Sequence, residues 1–366
     1  MSLTFYDSET IGDSETVGEN KIFLYDLPND IIQHLLCNYL PPEDAINCLT
    51  TAKIFNVLLP VQLYSIVKQI TGLGYWIEKG SLYHCQKLYN LSVKANDPIK
   101  IQATQHYEEP LIRCCAQGYL DIAKWLIDIC VQSNSPIDIH LYKERAFRKC
   151  CSCNHYEMAQ WLYDLSVENN SPIDINAKEE PFISCCYNGN LEMAKWLIDI
   201  GIQTNSPINI HMRDERAFMW ACLEGHFELA KWLYDLSIEL NSPIDLDVND
   251  NSVFGLTCMK GHIDIAKWLY RLSIEANSPL HIPSNERAFC YSCEYNQIEI
   301  AKWLYQATID SNSPINIRLN DDVIITACKY NSKETAEWLC TICDAYSIEI
   351  YENNGEIIKI KAIIKS

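Results

Sequence analysis

No run of about 18 apolar residues occurs in the chain, so no segment reads as a transmembrane helix. Basic residues are scarce: 29 Lys and Arg stand against 48 Asp and Glu, giving a formal net charge of −19. A nucleic-acid binder needs a basic footprint to neutralise phosphates, and an anionic membrane surface would repel this chain for the same reason. Neither nucleic acid nor membrane is expected as a partner. The opening MSLTFYDSETIGDSETVGEN lacks the basic start and apolar stretch of a secretory signal. Residues 1–20 are expected to form a disordered acidic tail, with too little apolar surface to order it, and the protein is expected in the cytoplasm. Also missing are a phosphate loop, G-x-S-x-G, H-E-x-x-H and a Rossmann fingerprint. The sequence therefore offers no catalytic residues, no metal site and no cofactor, and an enzyme is not expected.

What the chain does have is a ladder of tryptophans. Trp125, Trp161, Trp196, Trp232, Trp268, Trp303 and Trp338 are separated by 36, 35, 36, 36, 35 and 35 residues. A fixed period in this range signals stacked repeats. The length of 366 residues would by itself suggest two or three domains, but a stacked array grows in one dimension and needs no such division.

The ladder works as a ruler. Residues 215–246 read as a short helix over Arg216–Glu224, a stop at Gly225, and a second helix from Phe227 to Glu239. Phe227, Leu229, Ala230, Leu233 and Leu236 give that second helix an apolar stripe beside Trp232. Asn241-Ser242-Pro243 should end it, since Pro cannot continue a helix. Seven residues before each tryptophan stand Gly118, Asn154, Gly189, Gly225, Gly261, Asn296 and Asn331, the two residue types that tolerate the left-handed backbone closing a helix. In a first, degenerate unit Gly80 holds the stop position and Lys87 the tryptophan position. The identity of the tryptophans argues for packing between repeats, because a binding face has to vary. Lys195, Lys231, Lys267 and Lys302 each follow an acidic residue three positions earlier, the spacing of a solvated ion pair.

Cysteine is plentiful, with 18 in all. Cys115, Cys151, Cys186, Cys222, Cys258, Cys293 and Cys328 each lie ten residues before a register tryptophan. Equivalent positions in stacked helices are about 8–10 Å apart, whereas a disulfide needs Cα atoms within about 7 Å. This column is therefore expected to be reduced and buried as small apolar side chains. The C-x-x-C pairs at Cys150/Cys153, Cys290/Cys293 and Cys340/Cys343 have no matching pair at zinc-finger distance. His140, His211 and His281 recur in the turn region, with no regular acidic or Cys partner, and read as loop residues.

The unit resembles an ankyrin repeat, in which a T-P-L-H turn opens the first helix and G-H-L-E-V-V-K-L-L the second. Glu109-Pro110-Leu111-Ile112 and Arg216-Ala217-Phe218-Met219 take the place of the first motif; Gly225 to Leu233 (GHFELAKWL) and Gly261 to Leu269 (GHIDIAKWL) are close to the second. The period exceeds the ankyrin value of about 33, and tetratricopeptide repeats of about 34 residues have no Pro-bearing loop of this length. The long, Ile-, Asn- and Tyr-rich unit resembles the ankyrin proteins of giant DNA viruses. The resemblance implies an all-α solenoid of about eight helix-turn-helix repeats that binds a target protein, without catalysis. Loop tips and the solvent side of the first helices would be the target face: Tyr142, Ser152, Tyr187, Met212, Arg213, Leu223, Asn249, Met259, Ser284, Tyr295, Arg318 and Tyr330. Tyr, Met and Arg are types enriched at interfaces.

Residues 21–64 precede the array, which spans 65–347. Leu27-Pro28, Asp30, Ile31-Ile32, Leu35-Leu36, Tyr39-Leu40 and Lys53-Ile54-Phe55 resemble an F-box. Thr50 and Thr51 stand where that pattern usually has apolar residues. The resemblance implies docking of a Skp-type adaptor of a cullin ubiquitin ligase through Leu27, Pro28, Ile32, Leu35, Leu36 and Leu40; a plain helical cap for the array is the other reading. The expected function is an interaction adaptor acting as a monomer, with an ankyrin scaffold or decoy that binds a host protein without ubiquitination as the alternative. Residues 348–366 form a cap or tail. There Ile348–Tyr351 and Ile357–Ile360 flank Asn353-Asn354-Gly355, a hairpin signal, although an incomplete ninth unit has the same length.

Overall fold

The computed structural model describes residues 64–65, 72–99, 101, 110–246, 253–275, 282–310, 321–330, 332–343, 346–353 and 356–364. Packing divides the chain into two units, 1–110 with 124–126, and 111–123 with 127–366. In the first unit, α1 (Leu73–Glu78) and α2 (Leu82–Lys94) form the degenerate pair. Lys87, in the tryptophan position, lies 4.9 Å from the centroid of the Tyr83 ring and donates to its hydroxyl.

Seven further helix pairs follow: α3 (Pro110–Gln117) and α4 (Leu120–Gln132), α5 (Leu141–Ser152) and α6 (Tyr156–Glu168), α7 (Glu180–Tyr187) and α8 (Leu191–Gln203), α9 (Met212–Leu223) and α10 (Phe227–Glu239), α11 (Val253–Lys260) and α12 (Ile263–Glu275), α13 (Ile282–Glu294) and α14 (Ile298–Asp310), and α15 (Asp321–Lys329) and α16 (Lys333–Ile342). In the first pair and in the pairs from α5 onward the first helix packs on its own second helix, and first helices pack on one another in a line from α5 to α15. The core is a set of columns. Phe147, Phe182, Phe218, Phe254 and Phe289 are almost wholly enclosed, beside the buried Ala and Cys of the first helices and the buried Ala and Leu of the second.

The tryptophans are half-buried and not fully enclosed. All but Trp161 meet at least one aromatic ring of the preceding repeat. Trp268 has Phe218 at 6.1 Å and Tyr234 at 5.8 Å, and Trp196 has Phe147 at 6.1 Å and Tyr163 at 5.9 Å. The Tyr contacts are edge-to-face, the geometry favoured by the ring quadrupoles. Packing between repeats is thus their role, with one ring edge left to solvent. Of the predicted lysine pairs, Lys231–Glu228 and Lys302–Glu299 form at 3.3 and 3.6 Å. Lys195 lies instead 6.0 Å from the centroid of the Trp232 ring.

The helix-stop column has the predicted backbone: Gly225 has φ of 81° and Asn154 of 58°. Gly225 carries a second constraint. A Cβ there would stand 2.6 Å from the ring of His262, which fills the space above it. That ring reaches back to hydrogen-bond the preceding repeat, its Nε2–H donating to the Leu223 carbonyl at 3.0 Å. His155 and His226 make the same bond to Ala116 and Tyr187, over Gly118 and Gly189. Where the stop residue is Asn and already has a side chain, the residue above it is smaller. Asn190 follows Asn154 and donates to Cys151, and Ser332 follows Asn296 and donates to Glu294. Stop residue and plug are therefore matched in size at each of these boundaries.

The second helices end differently from expectation. The Asn of Asn-Ser-Pro makes the turn, before the Pro. Asn134, Asn170, Asn205 and Asn241 are left-handed, with φ of 50–55°. The next Ser N–H then bonds five residues back, as Ser171 does to Ser166 and Ser242 to Ser237. This is the Schellman closure, and Pro only guards what it has already ended. The buried Ser166 and Ser237 also accept the N–H of Ile173 and Ile244, tying each outgoing loop to the helix it leaves. At the same place in α8 stands Gly201, where the loop itself comes within 3.0 Å of a would-be Cβ.

The chain finishes as a hairpin. β1 (Tyr346–Asn353) pairs antiparallel with β2 (Glu356–Ile364), with Ile350 opposite Ile360 and one register shift after Tyr351. β2 packs on α15 and β1 on α16, so the hairpin reading holds and a ninth helical unit does not form.

Buried cysteines fill the first helices as free thiols. Burial pushes the Cys222 and Cys258 thiols well up from their ordinary value and Cys328 up to about 11. For Cys115 the leading cause is a hydrogen bond with Cys150 of the next repeat, then burial. Among the described cysteines only Cys153 is exposed. Titration with a thiol reagent at pH 8 should show a fast phase that loses one equivalent in Cys153→Ala, while Cys222→Ala changes only the slow phase that follows unfolding. Fast reaction at Cys222 would contradict its burial.

Gly225→Asn should lower stability by about 2 kcal/mol, combining a left-handed strain with the displaced His262 bond. In a His262→Ser background the same change should cost about 1 kcal/mol less. Denaturant titration of the four proteins measures this, and strictly additive effects would disprove the size match.

Candidate partner-binding face

The loops that enter the first helices carry an unusual backbone. Tyr142, Lys143 and Glu144 have φ of 54, 58 and 59°, and Arg213, Asp214 and Glu215 have φ of 53, 57 and 57°. Lys178 and Glu179 do the same in the unit between them. None is Gly, and three consecutive left-handed residues of this kind cost about 1–2 kcal/mol each. The regular part of α5 and α9 begins only after these turns, in agreement with the sequence-predicted start at Arg216.

Side chains hold the turns in place. Glu215 is 6% exposed, and its carboxylate accepts Nδ1–H of His211 at 2.8 Å and the N–H of Asp245, in the next loop, at 3.3 Å. Glu144, at 7% exposed, repeats this with His140 at 2.9 Å and the Asp174 N–H at 3.5 Å. His140 and His211 therefore do have an acidic partner, four residues on; His281 lies outside the described residues. The folded turn brings that partner close, which a search for metal-like spacing does not anticipate. Arg148 donates to the Lys143 and Tyr142 carbonyls and pairs with Glu180 of the next unit. Arg213 donates to the Lys178 carbonyl at 2.9 Å and pairs with Glu179 at 2.7 Å, back across the preceding boundary. The tips are thus a linked, preformed surface.

Several predicted contact residues lie exposed on this face. Tyr142 is at a left-handed tip, with Arg145 5.9 Å from its ring centroid. Arg213 is half exposed beside Glu179. Tyr187, Tyr295 and Tyr330 project at the ends of first helices. Tyr187 sits edge-on to Trp220 at 4.9 Å, and Tyr295 stacks on Tyr330 at 6.3 Å. A hydrogen bond to Glu294 pushes the Tyr330 phenol up. Ser152 and Met259 are half-buried.

Two residues must be removed from the set. Met212 and Leu223 are each 7% exposed. Met212 enters the core at the base of its left-handed turn, and Leu223 closes the end of α9, where its carbonyl receives His262. Ser284 lies in α13. Asn249 and Arg318 lie outside the described residues, as do Leu27, Pro28, Ile32, Leu35, Leu36 and Leu40 of the adaptor-docking set. Among the described residues no helix is long and apolar enough to cross a membrane, and no group of three His, Cys, Asp or Glu side chains is placed to hold a metal ion.

The linkage has a measurable sign. Asp214→Gly should raise stability by about 1 kcal/mol, since Gly adopts a left-handed backbone without strain. Glu215→Ala should lower it by about 2–3 kcal/mol, because a buried charge-assisted network loses its acceptor. Thermal or urea unfolding with the reverse order would rule out the left-handed turn.

Residues 165–244 match the family model for ankyrin repeats, in three copies. No curated protein matches the chain significantly. The matched segment runs from α6 through α10, and the helix pairs on either side of it repeat the same columns, so this is an ankyrin-type all-α repeat array.

Proposed function

We propose that this chain is an interaction adaptor, in which the repeats hold a target protein and the segment 21–64 recruits a Skp-type subunit of a cullin ubiquitin ligase. Ankyrin repeats are protein-binding modules, and the tips supply the target face through Tyr142, Arg213, Tyr187, Tyr295 and Tyr330. The observation that carries the finer reading is the order of two patterns in one chain: Leu27-Pro28, Ile32, Leu35-Leu36 and Leu40 in F-box spacing, then the array. Ubiquitin transfer would belong to other subunits. The Ile-, Asn- and Tyr-rich units support a viral adaptor acting on a host protein.

Co-precipitation of the full chain with a Skp-type adaptor should succeed and be lost in Leu27→Asp with Leu36→Asp. Tyr187→Ala with Tyr295→Ala should leave that binding intact, keep the melting temperature, and release the target recovered by affinity capture. Skp binding that is absent, or that survives the double Asp variant, removes the ligase role and leaves a scaffold.

A further inference from the structure

A second surface lies on the second helices, away from the tips. Six residues after each of the first six register tryptophans stands a β-branched aliphatic side chain: Val131, Val167, Ile202, Ile238, Ile274 and Ile309. All are exposed, from 41% at Ile309 to 67% at Ile202. Nothing in the fold demands this. The position is helical and solvent-facing, where Val and Ile have lower helix propensity than Glu, Lys or Gln and reduce solubility. An aliphatic residue kept there in six successive repeats therefore points to a surface that is covered in use.

The charge beside it narrows what covers it. Three residues earlier on α4, α6, α8 and α10 stand Asp128, Asp164, Asp199 and Asp235, all exposed. Residues three apart share a helix face, so each repeat presents one carboxylate next to one aliphatic side chain. Among the described residues no Lys or Arg forms a salt bridge with any of these four. The pattern fades at α12, where Arg271 replaces the Asp. A second copy of this chain would bring like charges face to face, and an anionic membrane would be repelled.

We propose that the outer face of α4, α6, α8 and α10 docks a basic polypeptide segment in a polyproline-II conformation, with Lys or Arg at every third residue and aliphatic side chains between them. Adjacent repeats are spaced by about 8–10 Å. One turn of polyproline II has three residues and advances about 9 Å, so one basic and one aliphatic side chain meet each repeat in register. A periodic surface suits a periodic ligand, and this one is independent of the target face and of the N-terminal segment.

The probe is a fluorescent peptide of about four Pro-Val-Lys triplets, matched to four repeats by that spacing, titrated into the full chain and followed by anisotropy. Saturable binding is expected, weakening as salt is raised. Asp164→Asn with Asp199→Asn, and separately Val167→Gln with Ile202→Gln, should each weaken it by about tenfold or more, equivalent to about 1.4 kcal/mol. Both pairs are exposed, so unfolding curves should match the parent, and Tyr187→Ala should bind the peptide normally. The proposal is overturned if the peptide does not bind, if a Pro-Val-Glu peptide binds equally, or if both double variants bind as the parent does. It is equally overturned if a helical peptide with Lys at every seventh residue binds more tightly, or if the parent chain is a dimer that Val167→Gln with Ile202→Gln makes monomeric.

Discussion

The boundary between repeats depends on one contact, in which a plug side chain sits over a left-handed stop residue and hydrogen-bonds the carbonyl that the stop leaves free. A helix ends with unsatisfied carbonyls. His155, His226 and His262 supply the missing donor from the next repeat. Closing one repeat and seating the next are thus the same event. The phenylalanine and cysteine columns add apolar area, but they would tolerate small slips. The plug does not, because it has one carbonyl to reach and a space set by the presence or absence of a single Cβ.

The tips follow from that rigidity. With consecutive repeats fixed, each loop can reach the one before or after it, and the links do pass in both directions. Glu144 and Glu215 receive an N–H from the loop that follows, while Arg213 reaches back to Lys178 and Glu179. The strain of the left-handed residues is offset both within the loop, by the His140–Glu144 and His211–Glu215 contacts, and by bonds from neighbouring loops.

Some of this was legible in the sequence and some was not, for identifiable reasons. The tryptophan period and the Gly/Asn stop column read directly, since Gly and Asn are the residues that adopt the left-handed backbone most readily. The partner role of Asn in Asn-Ser-Pro was hidden by Pro, whose exclusion from helices is the stronger textual signal although the helix has ended two residues earlier. Left-handed Lys, Glu, Arg and Asp carry no signature, because isolated residues of these types rarely adopt that conformation. Met212 and Leu223 seemed to belong to the target face because their columns vary between repeats, but a column can vary inside the core when its neighbours change with it. The aliphatic column six residues after each of the first six register tryptophans is visible as a period, and only its exposure separates it from the core.

The left-handed tips have one more consequence. Lys143, Lys178 and Arg213 lie in surface loops at the kind of residue that trypsin cleaves. A protease must draw several residues into an extended strand before it can cut. Here the segment is wound the opposite way and tied down through a buried carboxylate or a neighbouring guanidinium, so cleavage waits on opening of the loop. An acidic array with three basic residues at its left-handed loop tips would in this way survive digestion that its sequence invites.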